Sequence, residues 1–124
     1  METVVDPKAG LDDNHFWIDF KDDDNHYKGF FRITEFRGRG TVLYNDGEEY
    51  EGDFVGSKKE GHGKYMYLNG NVYEGSWKAD KKEGEGTMQY VNGDNYVGEF
   101  QNNMCWGKGK YTWKNGDVYD GNFR

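Results

Sequence analysis

Residues 50–72, YEGDFVGSKKEGHGKYMYLNGNV, set the pattern for the rest of the chain. The same 23-residue pattern recurs without a gap at residues 27–49, 73–95 and 96–118, and it begins again at residues 119–124. Position 1 is always tyrosine, position 5 is always aromatic, and 17 of the 19 glycines fall at positions 3, 12, 14 and 21. A tandem period of this length indicates a repeat architecture.

Alternation within the repeat predicts two short strands in each copy. Positions 1, 3 and 5 share one face of an extended strand, as do positions 14, 16 and 18. Asn-Gly or Asp-Gly at positions 20 and 21 predicts a hairpin with a type I′ turn, which needs positive φ at both residues. Positions 7–12 are charged and predict a longer loop. We therefore expect an all-β fold, an elongated, twisted antiparallel sheet of tandem β-hairpins with roughly nine strands, preceded by a short irregular N-terminal segment.

The composition limits what this sheet can bury. Hydrophobic residues make up 34% of the chain and aromatic residues 18%, with three leucines and two isoleucines in total. A thick aliphatic core is excluded, so the buried surface has to be mainly tyrosine, phenylalanine and tryptophan packed against glycine backbone. Because glycine weakens a strand interior, its recurrence predicts that a ring lies directly on the backbone at these positions.

The negative charge is concentrated at one end of the chain. The net charge is −7, of which residues 1–26 carry −6 and residues 27–124 carry −1. We divide the chain accordingly into an acidic N-terminal tail or capping segment, residues 1–26, and a repeat domain, residues 27–124. A nearly neutral array has no positive footprint for phosphates, which argues against nucleic-acid binding.

The order Tyr-x-Gly-x-Trp/Phe, then Gly-x-Gly, then Asn/Asp-Gly before the next tyrosine resembles the MORN (membrane occupation and recognition nexus) repeat. The resemblance covers residues 27–124 and rests on four complete copies in register. It implies an elongated twisted sheet of hairpins with a groove along one face. It also implies a non-catalytic scaffold in a cytoskeletal or ciliary assembly, at a cell cortex or at a membrane junction, rather than an enzyme with a cofactor.

An open sheet with many rings cannot cover all of them, and exposed aromatic grooves are where peptides and helices bind. The predicted function is therefore protein–protein interaction, with a protein partner in a multi-protein complex. The alternative for any single ring is that it packs only on its neighbours in a thin core. The aromatic residues predicted to line the groove are Tyr44, Tyr50, Phe54, Tyr65, Tyr67, Tyr73, Trp77, Tyr90, Tyr96, Phe100, Tyr111 and Trp113.

The two ends of the chain depart from the repeat pattern. Residues 15–20, HFWIDF, carry four large apolar residues and predict either an edge strand that caps the first repeat or a motif that docks on a partner. Residues 119–124 form the last predicted strand, and its free edge predicts pairing either with another protein chain or with a second copy in a homodimer. The residues predicted for these terminal contacts are Phe16, Trp17, Phe20, Met104, Trp106, Tyr119 and Phe123.

Two lysine pairs, Lys58-Lys59 and Lys81-Lys82, occupy the same repeat positions. Each lysine near an anionic surface contributes about 1 kcal/mol, so the four predict a weak lipid head-group site. A peripheral phospholipid-binding module is accordingly the alternative function. A glutamate follows each pair directly, and this charge balance favours a solvated loop over a membrane contact.

The sequence gives little support for metal binding, catalysis or nucleotide binding. The three histidines and Cys105 show no metal-ligand spacing, and Asp22–Asp24 lack the glycine and glutamate of a calcium loop. No serine has a histidine beside it, and Gly-x-Gly opens a strand rather than the helix that a phosphate loop needs. We expect no metal and no cofactor. Without a signal peptide or about 18 consecutive apolar residues, we expect a cytoplasmic, cytoskeleton-associated protein. The family resemblance implies a cilium, an axoneme or the cell cortex as its place.

Overall fold

The computed structural model describes residues 15–21, 25–32, 37–56 and 58–124. These residues form ten strands: β1 (His15–Lys21), β2 (Asn25–Arg32), β3 (Arg37–Tyr44), β4 (Glu49–Val55), β5 (Lys58–Met66), β6 (Val72–Lys78), β7 (Lys81–Gln89), β8 (Asn95–Gln101), β9 (Met104–Thr112) and β10 (Val118–Phe123). Each described strand pairs antiparallel with the next one in sequence, and all ten lie in one sheet. This confirms the predicted all-β sheet of tandem hairpins. No helix in the described ranges is long and apolar enough to span a bilayer.

The sheet begins one strand before the first repeat. β1 pairs with β2 along its whole length, from His15 opposite Arg32 to Lys21 opposite His26. Residues 15–21 are therefore a regular edge strand, in agreement with the edge-strand interpretation. The physical reason is that β2 would otherwise expose a row of unpaired N–H and C=O groups, which β1 covers.

The Asn-Gly turns close hairpins as predicted, but they are not the predicted type I′ turns. The Tyr67 N–H donates to the Asn71 carbonyl (2.9 Å), and the Gly70 N–H donates to the Tyr67 carbonyl (3.0 Å). Gly70 has a φ of 99°, whereas Asn69 is not among the described residues with positive φ. The loop is therefore a three-residue turn that ends in a left-handed glycine, and the predicted type I′ turn at this place is wrong.

The second turn is shorter than predicted in the two repeats where it is fully described, residues 73–95 and 96–118. Ala79 and Asp80 both have positive φ (49° and 70°), as do Asn102 and Asn103 (50° and 70°). Positive φ at both central residues is the signature of a two-residue type I′ turn, and the next strand starts directly after it. The long charged loop expected at positions 7–12 is thus wrong, because most of these residues belong to β5, β7 and β9.

The register aligns equivalent repeat positions in rows that cross the sheet. Tyr73, at position 1, lies between Tyr65 and Met88, which are both at position 16. The glycines at positions 3 and 14 form a continuous row: Gly29, Gly40, Gly52, Gly63, Gly75, Gly86, Gly98, Gly109 and Gly121. A channel without side chains therefore runs across the sheet.

Each position-1 tyrosine of the later repeats lies across this glycine row. A Cβ atom added at Gly63 would overlap the ring and hydroxyl of Tyr50. The Tyr50 hydroxyl donates to the Asp53 carbonyl (2.9 Å), and Tyr73 and Tyr96 donate to equivalent carbonyls. The predicted close approach of a ring to glycine backbone is confirmed, and it lets one layer of sheet bury a core without a second layer.

The opposite face of the sheet carries charged pairs beside exposed aliphatic side chains such as Val97. Lys64 pairs across the strands with Glu51 on one side and Glu74 on the other, and all three residues are exposed. Opposite charges at directly paired positions are mildly stabilising. The functional groups of interest therefore lie on the aromatic face.

Candidate functional site

The aromatic residues predicted for the groove fall into two groups of different accessibility. Six are buried, with at most 5% of their surface exposed: Tyr50, Phe54, Tyr73, Trp77, Tyr96 and Phe100. Their rings meet edge to face, as Tyr50 and Phe54 do with centroids 5.0 Å apart. They form the core rather than the binding surface, because the glycine row has no side chains that would keep these rings away from the backbone. Their assignment to the groove surface is corrected accordingly.

The other six lie beside this core and reach solvent: Tyr44, Tyr65, Tyr67, Tyr90, Tyr111 and Trp113. We call these six residues the aromatic row. The five tyrosines are half-buried, and Trp113 is 43% exposed. Ring centroids are 4.7 Å apart for Tyr65 and Tyr67, and 4.8 Å apart for Tyr111 and Trp113. The aromatic row thus consists of two groups of three contacting rings, Tyr44 with Tyr65 and Tyr67, and Tyr90 with Tyr111 and Trp113, each with one edge open.

Acidic residues at position 22 hold two hydroxyl groups of the aromatic row. The Tyr65 hydroxyl donates to Glu48 Oε1 (2.6 Å), and the Tyr111 hydroxyl donates to Asp94 Oδ2 (2.6 Å). The bond from Tyr111 is the main cause that lowers the pKa of the Asp94 carboxyl below its usual range. Both rings are therefore held in one orientation before any partner arrives.

The copy between these two lacks the hydroxyl and also lacks the acid. Met88 stands at position 16, and Asn71 takes the place of the acid at position 22 of the preceding copy. The Asn71 side-chain oxygen accepts from the Val91 N–H (2.9 Å). The acid therefore accompanies tyrosine and the amide accompanies methionine. Sequence reasoning missed position 22, although a comparison of the copies position by position carries this signal.

The four lysines predicted for a lipid head-group site do not lie together. Lys58 and Lys81 are exposed, whereas Lys82 is 8% exposed and the Lys59 side chain 13%. β-Bulges align the second lysine of each pair with the core aromatic residue of the same copy. The prediction that these four lysines form one head-group site is thus corrected, because alternation along the strand turns the two lysines of each pair to opposite faces.

The two inward lysines are enclosed by rings. Lys59 Nζ lies 5.2 Å from the Trp77 ring centroid and 3.4 Å from Asp80 Oδ1. Lys82 Nζ donates to the Tyr67 hydroxyl and lies 4.9 Å from the centroid of the same ring. Burial lowers the pKa of the Lys82 ammonium. Ring faces attract such cations, so the aromatic face contains fixed positive charge.

The residues predicted for terminal contacts are mostly accessible where they are described. Exposed surface is 52% for Trp17, 65% for Met104, 47% for Trp106 and 44% for Tyr119. Phe123 is half-buried, with its ring centroid 4.9 Å from that of Tyr96. The side chains of Phe16 and Phe20 lie outside the described residues. In the described sheet β10 pairs with β9 alone, and a dimer through its free edge stays a prediction.

In the described part of the chain, no group of side chains forms a metal-binding site or activates a thiol. No group of three or more histidine, cysteine, aspartate or glutamate side chains in those ranges could hold a metal ion. Cys105 is half-buried, and burial raises the pKa of its thiol. A thiol with a raised pKa carries little of the nucleophilic thiolate at neutral pH.

We expect the sheet to lose stability in alkali. Burial raises the pKa of Tyr67 and Tyr96 to about 12, and the bond to Asp94 raises that of Tyr111 to about 12. An unfolded tyrosine ionises near pH 10. Because the folded pKa values are higher, the free energy of unfolding is unchanged below about pH 10 and falls as the pH rises from about 10 to 12.

Tyrosinate absorbance and circular dichroism, followed in one pH titration, measure this transition. The tyrosinate signal and the loss of strand signal are expected to coincide. Complete ionisation of the tyrosines near pH 10 in a sheet that keeps its dichroism would contradict the expected burial.

The repeat boundaries agree with a comparison to known families. A family model described as MORN repeat matches residues 50–72, 73–95 and 96–118, the same limits that the period indicates. These matches cover more than half of the chain, and residues 27–49 lie outside them. No curated protein matches the chain. The chain therefore belongs to the MORN-repeat family.

Proposed function

We propose that this MORN-repeat protein is a non-catalytic scaffold or adaptor that binds a segment of a partner protein along the aromatic row. The proposed setting is a cytoskeletal or ciliary assembly, as the family resemblance implies. The observation that carries the proposal is the aromatic row itself, six rings with an open edge on one face of a single-layer sheet.

The physical state of these rings suits them to binding. Tyrosine and tryptophan dominate the residues that contribute most to protein interfaces. Tyr65 and Tyr111 are already held by carboxylates, so a partner does not have to order them. A surface that is ordered in advance loses less conformational entropy on association and therefore binds more tightly.

The test compares the two faces of the sheet. Tyr90→Ala with Trp113→Ala removes two rings of the aromatic row, and it is expected to weaken partner capture by about tenfold or more. Glu51→Ala with Val97→Ala changes two exposed residues of the opposite face and serves as the matched control. Proximity labelling with the tagged wild-type chain in its native cells identifies the partner, and binding of that partner to each variant is then quantified.

Equal capture by both variants would rule out the aromatic row as the binding surface, provided that dichroism shows both to be folded. Flotation with phosphoinositide vesicles tests the alternative of a phospholipid-binding module. Lys58 and Lys81 are the accessible members of the lysine pairs, and two such charges contribute only about 2 kcal/mol. Strong vesicle binding that disappears with added salt would favour the lipid alternative.

A further inference from the structure

Lys59 and Lys82 occupy equivalent places in consecutive repeats but differ in charge compensation. The two-residue turn of the following repeat reaches each of them: Asp80 Oδ1 accepts from the Lys59 N–H (2.8 Å), and Asn103 Oδ1 accepts from the Lys82 N–H (2.9 Å). The Asp80 carboxylate also lies 3.4 Å from Lys59 Nζ. Asn103 is neutral, so the same geometry leaves the Lys82 ammonium without a counter-charge.

The surroundings of Lys82 make this lack of an anion costly. Lys82 is 8% exposed, and no carboxylate of the described residues lies within ion-pair distance of its Nζ. Its contacts are the Tyr67 hydroxyl and the ring faces of Tyr67 and Tyr73, with centroids at 4.9 and 5.6 Å. An ammonium withdrawn from water is unfavourable unless an anion and hydrogen bonds compensate it.

Two hydrogen-bond donors converge on a cavity at this point. Lys82 Nζ carries three N–H groups and uses one on the Tyr67 oxygen. The Tyr67 hydroxyl accepts that bond, and its own proton meets no acceptor among the described residues. A cavity of about 300 Å³ opens here, lined by these two side chains together with Lys59, Tyr65, Trp77, Asp80 and Asn103. The Asp80 carboxylate in this lining already lies beside Lys59 Nζ. The two oxygens of one carboxylate match these two donors.

We propose that this cavity binds the carboxylate of a glutamate or aspartate side chain, presented by the partner protein that lies on the aromatic row. This inference rests on the proposed function and specifies the chemistry of the partner. The incoming carboxylate does for Lys82 what Asp80 does for Lys59. Because Lys82 lies beneath the ring of Tyr67, a single extended side chain can reach it, whereas a flat anionic membrane cannot.

The chain offers an isosteric test of the site. Asn103→Asp places an internal carboxylate where the preceding repeat already has one, and its φ of 70° equals that of Asp80. The probes are two labelled, blocked peptides, Ser-Leu-Glu-Leu-Ser and the same peptide with Gln in place of Glu, measured by fluorescence anisotropy. The wild type is expected to bind the Glu peptide about tenfold more tightly than the Gln peptide, as one charged hydrogen-bonded pair implies. Asn103→Asp and Lys82→Met are expected to bind both peptides equally.

Asp80→Asn, the reciprocal change at another residue of the cavity lining, removes the carboxylate that compensates Lys59; it should keep the preference for the Glu peptide without weakening its binding. The proposal is overturned if Asn103→Asp keeps that preference, if the wild type binds both peptides equally or binds neither, or if inorganic phosphate displaces the Glu peptide at lower concentration than acetate does. The adaptor function is judged separately, because Tyr90→Ala with Trp113→Ala leaves Lys82 and Tyr67 in place. Partner capture that depends on those two rings but not on Asn103→Asp would retain the adaptor and remove the carboxylate site.

Discussion

Gly63→Ala is expected to reduce the free energy of unfolding by about 3 kcal/mol or more, the upper range for overpacking a core. The new Cβ atom would overlap the ring and hydroxyl of Tyr50. Tyr50 is fully buried and cannot retreat, because its ring is wedged between Phe54 and Trp77, with centroids 5.0 and 5.4 Å away. Gly63 lies outside the left-handed region, so the cost is steric rather than conformational.

Thermal denaturation measures this loss, and a fall in Tm of roughly 10 °C or more is expected for a domain of this size. Because repeat arrays can unfold in parts, amide hydrogen exchange in β4 and β5 locates the damage. Gly56→Ala is the matched control: nothing lies within 4 Å of its new Cβ, but φ is +57°. A left-handed alanine costs about 1 kcal/mol. Equal losses for the two variants would mean that the ring does not lie on the glycine row.

Trp77→Ala is expected to reduce the free energy of unfolding by about 3 to 5 kcal/mol, the usual cost of removing a large buried ring. Trp77 is 5% exposed, and its centroid lies 5.4 Å from that of Tyr50 and 5.2 Å from that of Tyr73. Its Nε1–H also donates to the Gly63 carbonyl (3.0 Å). The substitution therefore opens a cavity between two repeats and removes the hydrogen bond to the Gly63 carbonyl.

Trp77→Phe separates the ring from the hydrogen bond. Phe54 and Phe100 occupy the same position in the neighbouring repeats and are equally buried, so phenylalanine fits the local backbone. We expect this variant to lose about 1 to 2 kcal/mol, mainly the indole hydrogen bond and some contact area. Denaturant titration of both variants gives the comparison. If Trp77→Ala cost no more than Trp77→Phe, the position-5 ring would not be a core element.

Much of the fold follows from alternation and spacing. The glycines at positions 3 and 14 and the tyrosine at position 1 share a face because strand side chains alternate with a period of two. The same rule places the rings of positions 5, 16 and 18 on that face. It does not say which of them are buried. Tyr50 lies over Gly63 and is fully buried, whereas Tyr67, on the same face, stays half-exposed beside the turn.

The turns and the inward lysines show where reading along the chain fails. Asp80 and Asn103 adopt left-handed conformations. In each of them the side-chain oxygen accepts a hydrogen bond from a backbone N–H of the preceding repeat. This partner is distant in sequence, so a charged stretch such as ADKKEG is read as a loop although most of it is strand. The sequence pattern consequently predicts a solvated Lys82, whereas in the structure Lys82 is buried among rings.

The sequence by itself determined the period, the strand pairing, the family and the set of aromatic residues on one face. These properties depend on local spacing, which is identical in every copy. Only the tertiary structure decided which rings form the core, which form the aromatic row, and which lysine lies buried without an anion. Those properties depend on what the neighbouring repeat places against each side chain, and a neighbour can differ by as little as an amide in place of a carboxylate.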